Sequence, residues 1–115
     1  MALDKPLAAY ETVETWRTGL RDQWGEEPDM TERLRALEGF CEMVGKDPDT
    51  IIAECSRVVE GGKRIRIKGR REYAARIAEF QESEDGDARA QGRLGNNIRS
   101  FFIHNGIFMQ AGLSS

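Results

Sequence analysis

Cysteine is scarce in this chain. Cys41 and Cys55 are the only two, too few for a disulfide framework or a zinc ribbon, and we expect both to be small buried hydrophobes of a reducing, cytoplasmic setting. Histidine occurs once, as His104, so the chain has no His-x-x-His or Glu-x-x-His spacing for a metal, and it has no Cys-x-x-Cys pair. A Gly-x-x-x-x-Gly-Lys-Ser/Thr phosphate loop is also missing, and no cofactor is expected. Long apolar runs are lacking, which excludes a transmembrane helix of about 18 residues or more and leaves no membrane partner. The opening Met1-Ala2-Leu3-Asp4-Lys5-Pro6 meets charge and proline too early to read as a secretory signal. Glu26 with Glu27, and the cluster Glu82–Asp87, read as solvated turns and not as a tuned acid/base pair. Without a nucleophile and base in evident register, the chain on its own is not expected to be an enzyme.

What remains is 115 residues with 39% apolar and 32% charged side chains, enough for one domain with one core. The net charge of −3 hides an asymmetry. Residues 1–56 carry 6 basic and 13 acidic groups, whereas residues 57–115 carry 11 basic and 7 acidic ones. Salt screens charges beyond roughly 10 Å, so the acidic half does not veto an anionic partner for the basic half. Arginine outnumbers lysine 13 to 4, and its planar fork suits phosphate and guanine.

The periodicity is helical nearly throughout. Val13, Trp16, Leu20 and Trp24 share one face at spacings of three and four, so both tryptophans read as core and not as a base-stacking platform. Gly25 and Pro28 punctuate the end of this helix. A second helix is predicted from Asp29, with Glu32 completing a capping box. Its stripe is Met30, Leu34, Leu37, Cys41 and Val44, widened by Phe40, and Gly45 closes it. The third has Asp47 as N-cap and Pro48 at its first position, with Ile51, Cys55, Val58 and Val59 inward and Gly61-Gly62 as the stop.

Residues 63–68 alternate basic and apolar side chains. They read as an extended connector or the irregular start of the next helix, with Ile65 and Ile67 pinned to the body; a short hairpin is the alternative. From about Arg70 the helical pattern returns, with Tyr73, Ile77 and Phe80 inward and Ala74 and Ala78 beside them. Ser83–Asp87 reads as a mobile acidic turn. A last helix from Asp87 or Ala88 buries Leu94, Ile98, Phe101 and Phe102 and stops at Asn105-Gly106. The expectation is an all-α, compact bundle of four to five helices, its acidic half packed on its basic half.

Two features point to function. On the last helix, Arg89, Arg93, Asn96 and Ser100 form a stripe opposite the core face, flanked by Asn97 and His104. Arginine and asparagine on one helical face are what major-groove readout uses, since arginine pairs with guanine and asparagine with adenine. Upstream, Lys63, Arg64, Arg66, Lys68, Arg70 and Arg71 put six charges into nine residues, a density that suits an anion-binding surface. A protein–protein adaptor and a small helix-turn-helix regulator are the competing readings.

The run Arg93-Leu94-Gly95-Asn96-Asn97-Ile98-Arg99-Ser100-Phe101-Phe102 resembles the last helix of the core-binding (SAM-like) domain of phage-type integrases, the tyrosine recombinases. Thr12-Val13-Glu14-Thr15-Trp16 through Leu20 is similar to the first helix of that domain, and Thr31–Phe40 to the second. Gly45-Lys46-Asp47-Pro48 followed by Ile51-Ile52 is similar to the turn into the third. The resemblance covers about residues 10–105, with Ala90 where the family usually has Thr or Ser, and Gly95 where Leu is common. It implies a SAM-like domain that clamps double-stranded DNA for a catalytic domain farther along the same polypeptide, assembling as an oligomer on DNA. It also implies that the catalytic Arg, His-x-x-Arg and Tyr lie elsewhere: His104-Asn105-Gly106-Ile107 lacks the arginine, and Tyr10 and Tyr73 sit at core positions. On this reading the chain is the amino-terminal fragment of a longer recombinase and does not cut DNA.

Overall fold

Capping chemistry places most of the helix boundaries. In the computed structural model, which describes residues 3–84 and 86–109 apart from the side chains of Val58 and Lys63, a 3₁₀ turn (Leu7–Ala9) leads into α1 (Glu11–Trp24). The first turn of α1 is capped from outside: Asp49 Oδ1 accepts hydrogen bonds from the Thr12 backbone N–H (3.0 Å) and from its hydroxyl (2.6 Å). Helices α2 (Thr31–Val44) and α3 (Pro48–Cys55) follow. As expected, Asp47 caps α3 by accepting from the Thr50 N–H at 2.7 Å, with Pro48 at the first position. The capping box at Asp29 does not form. Helix α2 starts two residues later, Asp29 accepts from the Thr31 N–H at 3.0 Å, and the Glu32 carboxylate instead pairs with Arg93 at 3.2 Å.

The sequence reading fails at the end of α3. The chain leaves the helix at Cys55 and forms an antiparallel hairpin of β1 (Ser56–Val59) and β2 (Gly62–Ile65), in which Arg57 faces Arg64 and Val59 faces Gly62. The alternative of a short hairpin therefore holds, over the extended connector. β-Branched Val58 and Val59 suit a strand, and the two-residue turn Glu60-Gly61 needs a positive φ at its second position, which Gly61 supplies (φ 93°). The inward placement expected of the Val58 side chain lies outside the described residues. Arg66 N–H donates to Cys55 O at 2.8 Å, tying the two ends of the hairpin together. Ile65 and Ile67 are 43% and 60% exposed, not pinned to the body, because the hairpin packs chiefly on the end of α3.

Helix α4 (Ile67–Ser83) then runs antiparallel to α5 (Ala88–His104), as the contacts of Gln81 with Gly95 and of Tyr73 with Phe102 show. Gly69 lies so close to the Glu54 carbonyl that a Cβ there would overlap backbone. The glycine inside the basic run is thus a crossing point of α3 and α4. Asp87 caps α5 by accepting from the Ala90 N–H at 2.9 Å, as expected; of the acidic turn before it, Asp85 lies outside the described residues. Among the described residues the architecture is five α-helices with one two-stranded hairpin, mostly helical, with α1, α2 and α3 packed on the α4–α5 pair.

The core holds Trp16, Leu37, Phe40, Ile51, Ile77, Ile98, Phe101 and Phe102, and Tyr10 and Tyr73 are buried as expected. Two inward assignments, Leu94 and Trp24, are corrected, as is the placing of Ala74 and Ala78 beside the core face. Ala74 and Ala78 are exposed, since Tyr73, Ile77 and Phe80 already fill that face. Leu94 is only half-buried at the rim. Trp24, in the last turn of α1, is 63% exposed and lines a surface cleft together with Ala88 and Gly92 of α5.

Phe40 meets Phe80 edge-on at 5.8 Å between ring centroids and Phe102 at 6.3 Å. Replacing Phe40 with Ala is expected to lower unfolding free energy by about 3–5 kcal/mol, measured by urea denaturation.

Candidate nucleic-acid interface

The two sets of sequence-predicted residues fall into two clefts with no lining residue in common. The first, about 480 Å³, lies between the end of α1, the start of α2 and the amino-terminal half of α5. Arg89, Arg93, Asn96, Asn97 and Ser100 all line it, because positions 89, 93, 96 and 100 share one face of a helix of 3.6 residues per turn. The opposite face, with Ile98, Phe101 and Phe102, is locked in the core. Gln23 and Arg33, not singled out from the sequence, join them, as does Trp24, which the sequence pattern had assigned to the core. No carboxylate lines this cleft among the described residues, although Glu32 pairs with Arg93 between exposed side chains at its edge.

The groups of this face are not equally free. Asn96 Oδ1 accepts from Arg99 at 3.1 Å, which leaves its amide N–H groups for an outside acceptor. Arg99 itself is turned inward and donates to Gln81 at 2.5 Å, and burial lowers its pKa. Gly95 is buried beneath Gln81, whose amide a Cβ would overlap, so the glycine leaves room for the Gln81–Arg99 pair. Ser100 is committed to the interior: its hydroxyl accepts from the Trp16 indole N–H at 3.0 Å. Ser100→Ala is expected to destabilise the fold by about 1–3 kcal/mol, the cost of an unsatisfied buried donor, read from the midpoint of chemical denaturation.

The second cleft lies at the hairpin, where Arg64, Arg66 and Lys68 gather with Arg57. Arg70 and Arg71 do not line it; Arg71 is exposed and Arg70 half-buried at the start of α4. The Lys63 side chain lies outside the described residues. Arg57 was hidden from the sequence reading because the residue appeared to belong to α3. It stands directly across the strands from Arg64, and like charges in such paired positions disfavour the sheet. Glu54 and Glu72 also line this cleft. Glu54 is engaged, since Lys46 Nζ donates to both its oxygens at 2.8 Å and the Tyr73 hydroxyl donates to it at 2.5 Å. On the helix pair, the first cleft runs along α5 from Ala88 to Ser100, and the second takes the first turns of α4 from Ile67 to Tyr73.

A third cleft carries the lone His104 with Glu11, Thr15, Asp49, Ser56 and Asn105. Several of its polar groups hold the fold together. Asp49 caps α1, Asn105 Nδ2 donates to Thr12 O at 3.0 Å and Phe101 O at 2.9 Å, and His104 packs against Gly19 of α1. No group of three or more His, Cys, Asp or Glu side chains that could hold a metal ion is found among the described residues, nor is any helix there long and apolar enough to cross a membrane. Cys41 and Cys55 are buried, which pushes their thiols up to about 12.

The Glu54 contacts set a pH dependence. The hydrogen bond from Lys46, then that from Tyr73, lowers its pKa below the usual carboxylate value. Its stabilising contribution is therefore complete above an unfolded-state pKa of about 4.3 and is lost as pH falls through the lower folded-state value. Wild type is expected to lose its margin over Glu54→Gln as pH falls below about 5 and through the lowered folded-state value, as followed by urea midpoints at successively lower pH. No protein-family model, no curated protein and no solved structure matches this chain.

Proposed function

We propose that this chain binds double-stranded DNA, as the clamping, core-binding domain of a site-specific recombinase or integrase whose catalytic Arg, His-x-x-Arg and Tyr belong to a separate domain. The observation that carries this reading is the exposed face of α5, where Arg89, Arg93, Asn96 and Asn97 line one cleft without a lining carboxylate. Arginine forks and amide groups along one helix are suited to base edges in a groove about 12 Å wide. The hairpin, with Arg57, Arg64, Arg66 and Lys68, is suited to phosphates.

A helix-turn-helix regulator is less well supported. The tight turn Gly45-Lys46-Asp47 joins α2 to α3, but α3 buries Pro48, Ile51, Ile52 and Cys55 and carries no basic residue, while its Asp49 and Glu54 are engaged within the fold. The adaptor reading draws on the scattered exposure of Trp24, Ile65, Ile67, Ile103 and Phe108.

Titration of labelled duplex at about 50 mM salt tests the proposal, because phosphate contacts weaken steeply as salt rises. Replacing Arg64 and Arg66 with Ala is expected to weaken binding to all sequences alike and to flatten the salt slope by about 0.9 per lost contact. Replacing Arg93 or Asn96 with Ala is expected to cost about 1–3 kcal/mol on a preferred site and much less on random DNA. No binding at low salt, or binding indifferent to both sets, leaves the adaptor reading in place.

A further inference from the structure

We infer that the cleft on α5 also takes an unpaired nucleic-acid segment, with one base stacked on Trp24 and its phosphates held by Arg33, Arg89 and Arg93. This rests on the reading of the cleft as a nucleic-acid site and adds the class of strand that it accepts. The fold buries its other tryptophan completely: Trp16 has no exposed surface, whereas Trp24 is 63% exposed. Trp24 stands at the edge of the one cleft that also gathers three arginines and the amides Gln23, Asn96 and Asn97. Two small residues of α5, Ala88 and Gly92, line the same cleft and add little bulk to it. The site therefore offers a flat aromatic face, a cleft beside it, cations for an anionic backbone and amides for polar edges.

A nucleobase meets each of these conditions at once. Base–aromatic stacking is favourable for every base, because each has a π-face, and arginine adds charge and stacking of its own. Within a duplex those faces are already covered by neighbouring base pairs, and only base edges and phosphates are reachable from the grooves. Trp24 can therefore stack only where a base is unpaired, whereas Arg93 and Asn96 can serve duplex and single strand alike. This makes Trp24 the group that separates the two kinds of DNA.

The intact 115-residue chain is titrated with a twelve-nucleotide oligothymidylate and with a duplex of the same length at about 50 mM salt, following tryptophan emission and, separately, anisotropy of end-labelled DNA. The expected result is saturable quenching of wild-type emission by oligothymidylate, absent in Trp24→Phe, whose remaining Trp16 is buried and reports that the variant is folded. Trp24→Ala is expected to bind the single strand roughly ten- to a hundredfold more weakly while duplex affinity changes less than about twofold. Duplex binding with no binding of oligothymidylate overturns this inference and leaves the duplex reading standing. Equal losses for both ligands in a folded Trp24→Ala, or single-strand binding with unchanged emission and affinity, also overturn it. Failure of both ligands to bind removes the nucleic-acid reading together with this one.

Discussion

The Phe40 ring, buried completely in α2, meets the ring edges of Phe80 on α4 and Phe102 on α5, and the contact runs on through Phe101 to Trp16 on α1. Four of the five helices are joined through this line of rings, with Tyr73 packed beside it. Edge-to-face aromatic packing is directional, so it fixes how α5 is rotated about its own axis as well as how close it lies. That rotation decides which residues of α5 face solvent. The candidate interface is thus a consequence of core packing: with Phe101 and Phe102 inward, the side carrying Arg89, Arg93 and Asn96 has no other direction to take. Trp16 closes the line by donating its indole N–H to Ser100, linking the last ring of the core to the floor of the cleft.

Charge is distributed by the same packing. Several acidic residues of the first half are used within the fold, with Glu14 of α1 and Glu27 of the following loop on Arg17, and with Asp49 on Thr12 and Glu54 on Lys46 and Tyr73 from α3. Arg57, Arg64, Arg66, Lys68 and Arg89 form no ion pair among the described residues. The surface pairs are worth little individually. The pairs involve other basic side chains and leave the basic groups of the hairpin, and Arg89, without an acidic partner among the described residues.

Where apolar spacing and a cap agreed, the elements were legible from the residues alone. Asp47-Pro48 located α3, Asp87 located α5, and Asn105-Gly106 its end. The hairpin was misread because Val58 and Val59 continue the helical spacing of Ile51 and Cys55, and only the glycine pair at 61–62 argued for a turn with strands on both sides. That error concealed Arg57. Trp24 was misread for a different reason: periodicity identifies the face of a helix but not how far along that face the core extends. Ser100 kept its predicted place on the polar stripe and still lost its predicted freedom, since no pattern in the sequence says that the Trp16 indole will claim its hydroxyl. Of the α5 set, Arg89, Arg93, Asn96 and Asn97 were recoverable from helical geometry, and Arg33 and Gln23 only from the tertiary arrangement.

The bond between Arg66 N–H and Cys55 O, together with the backbone approach of Gly69 to Glu54, closes the hairpin into a loop whose base is fixed between two helices. A charged loop that is free in solution loses conformational entropy when it settles on a partner, and that loss subtracts from affinity. Here the strand backbones that carry Arg57 and Arg64 are ordered before any anion arrives, so only side-chain rotamers are left to order. An anion settling at the hairpin would therefore draw little on coupled folding.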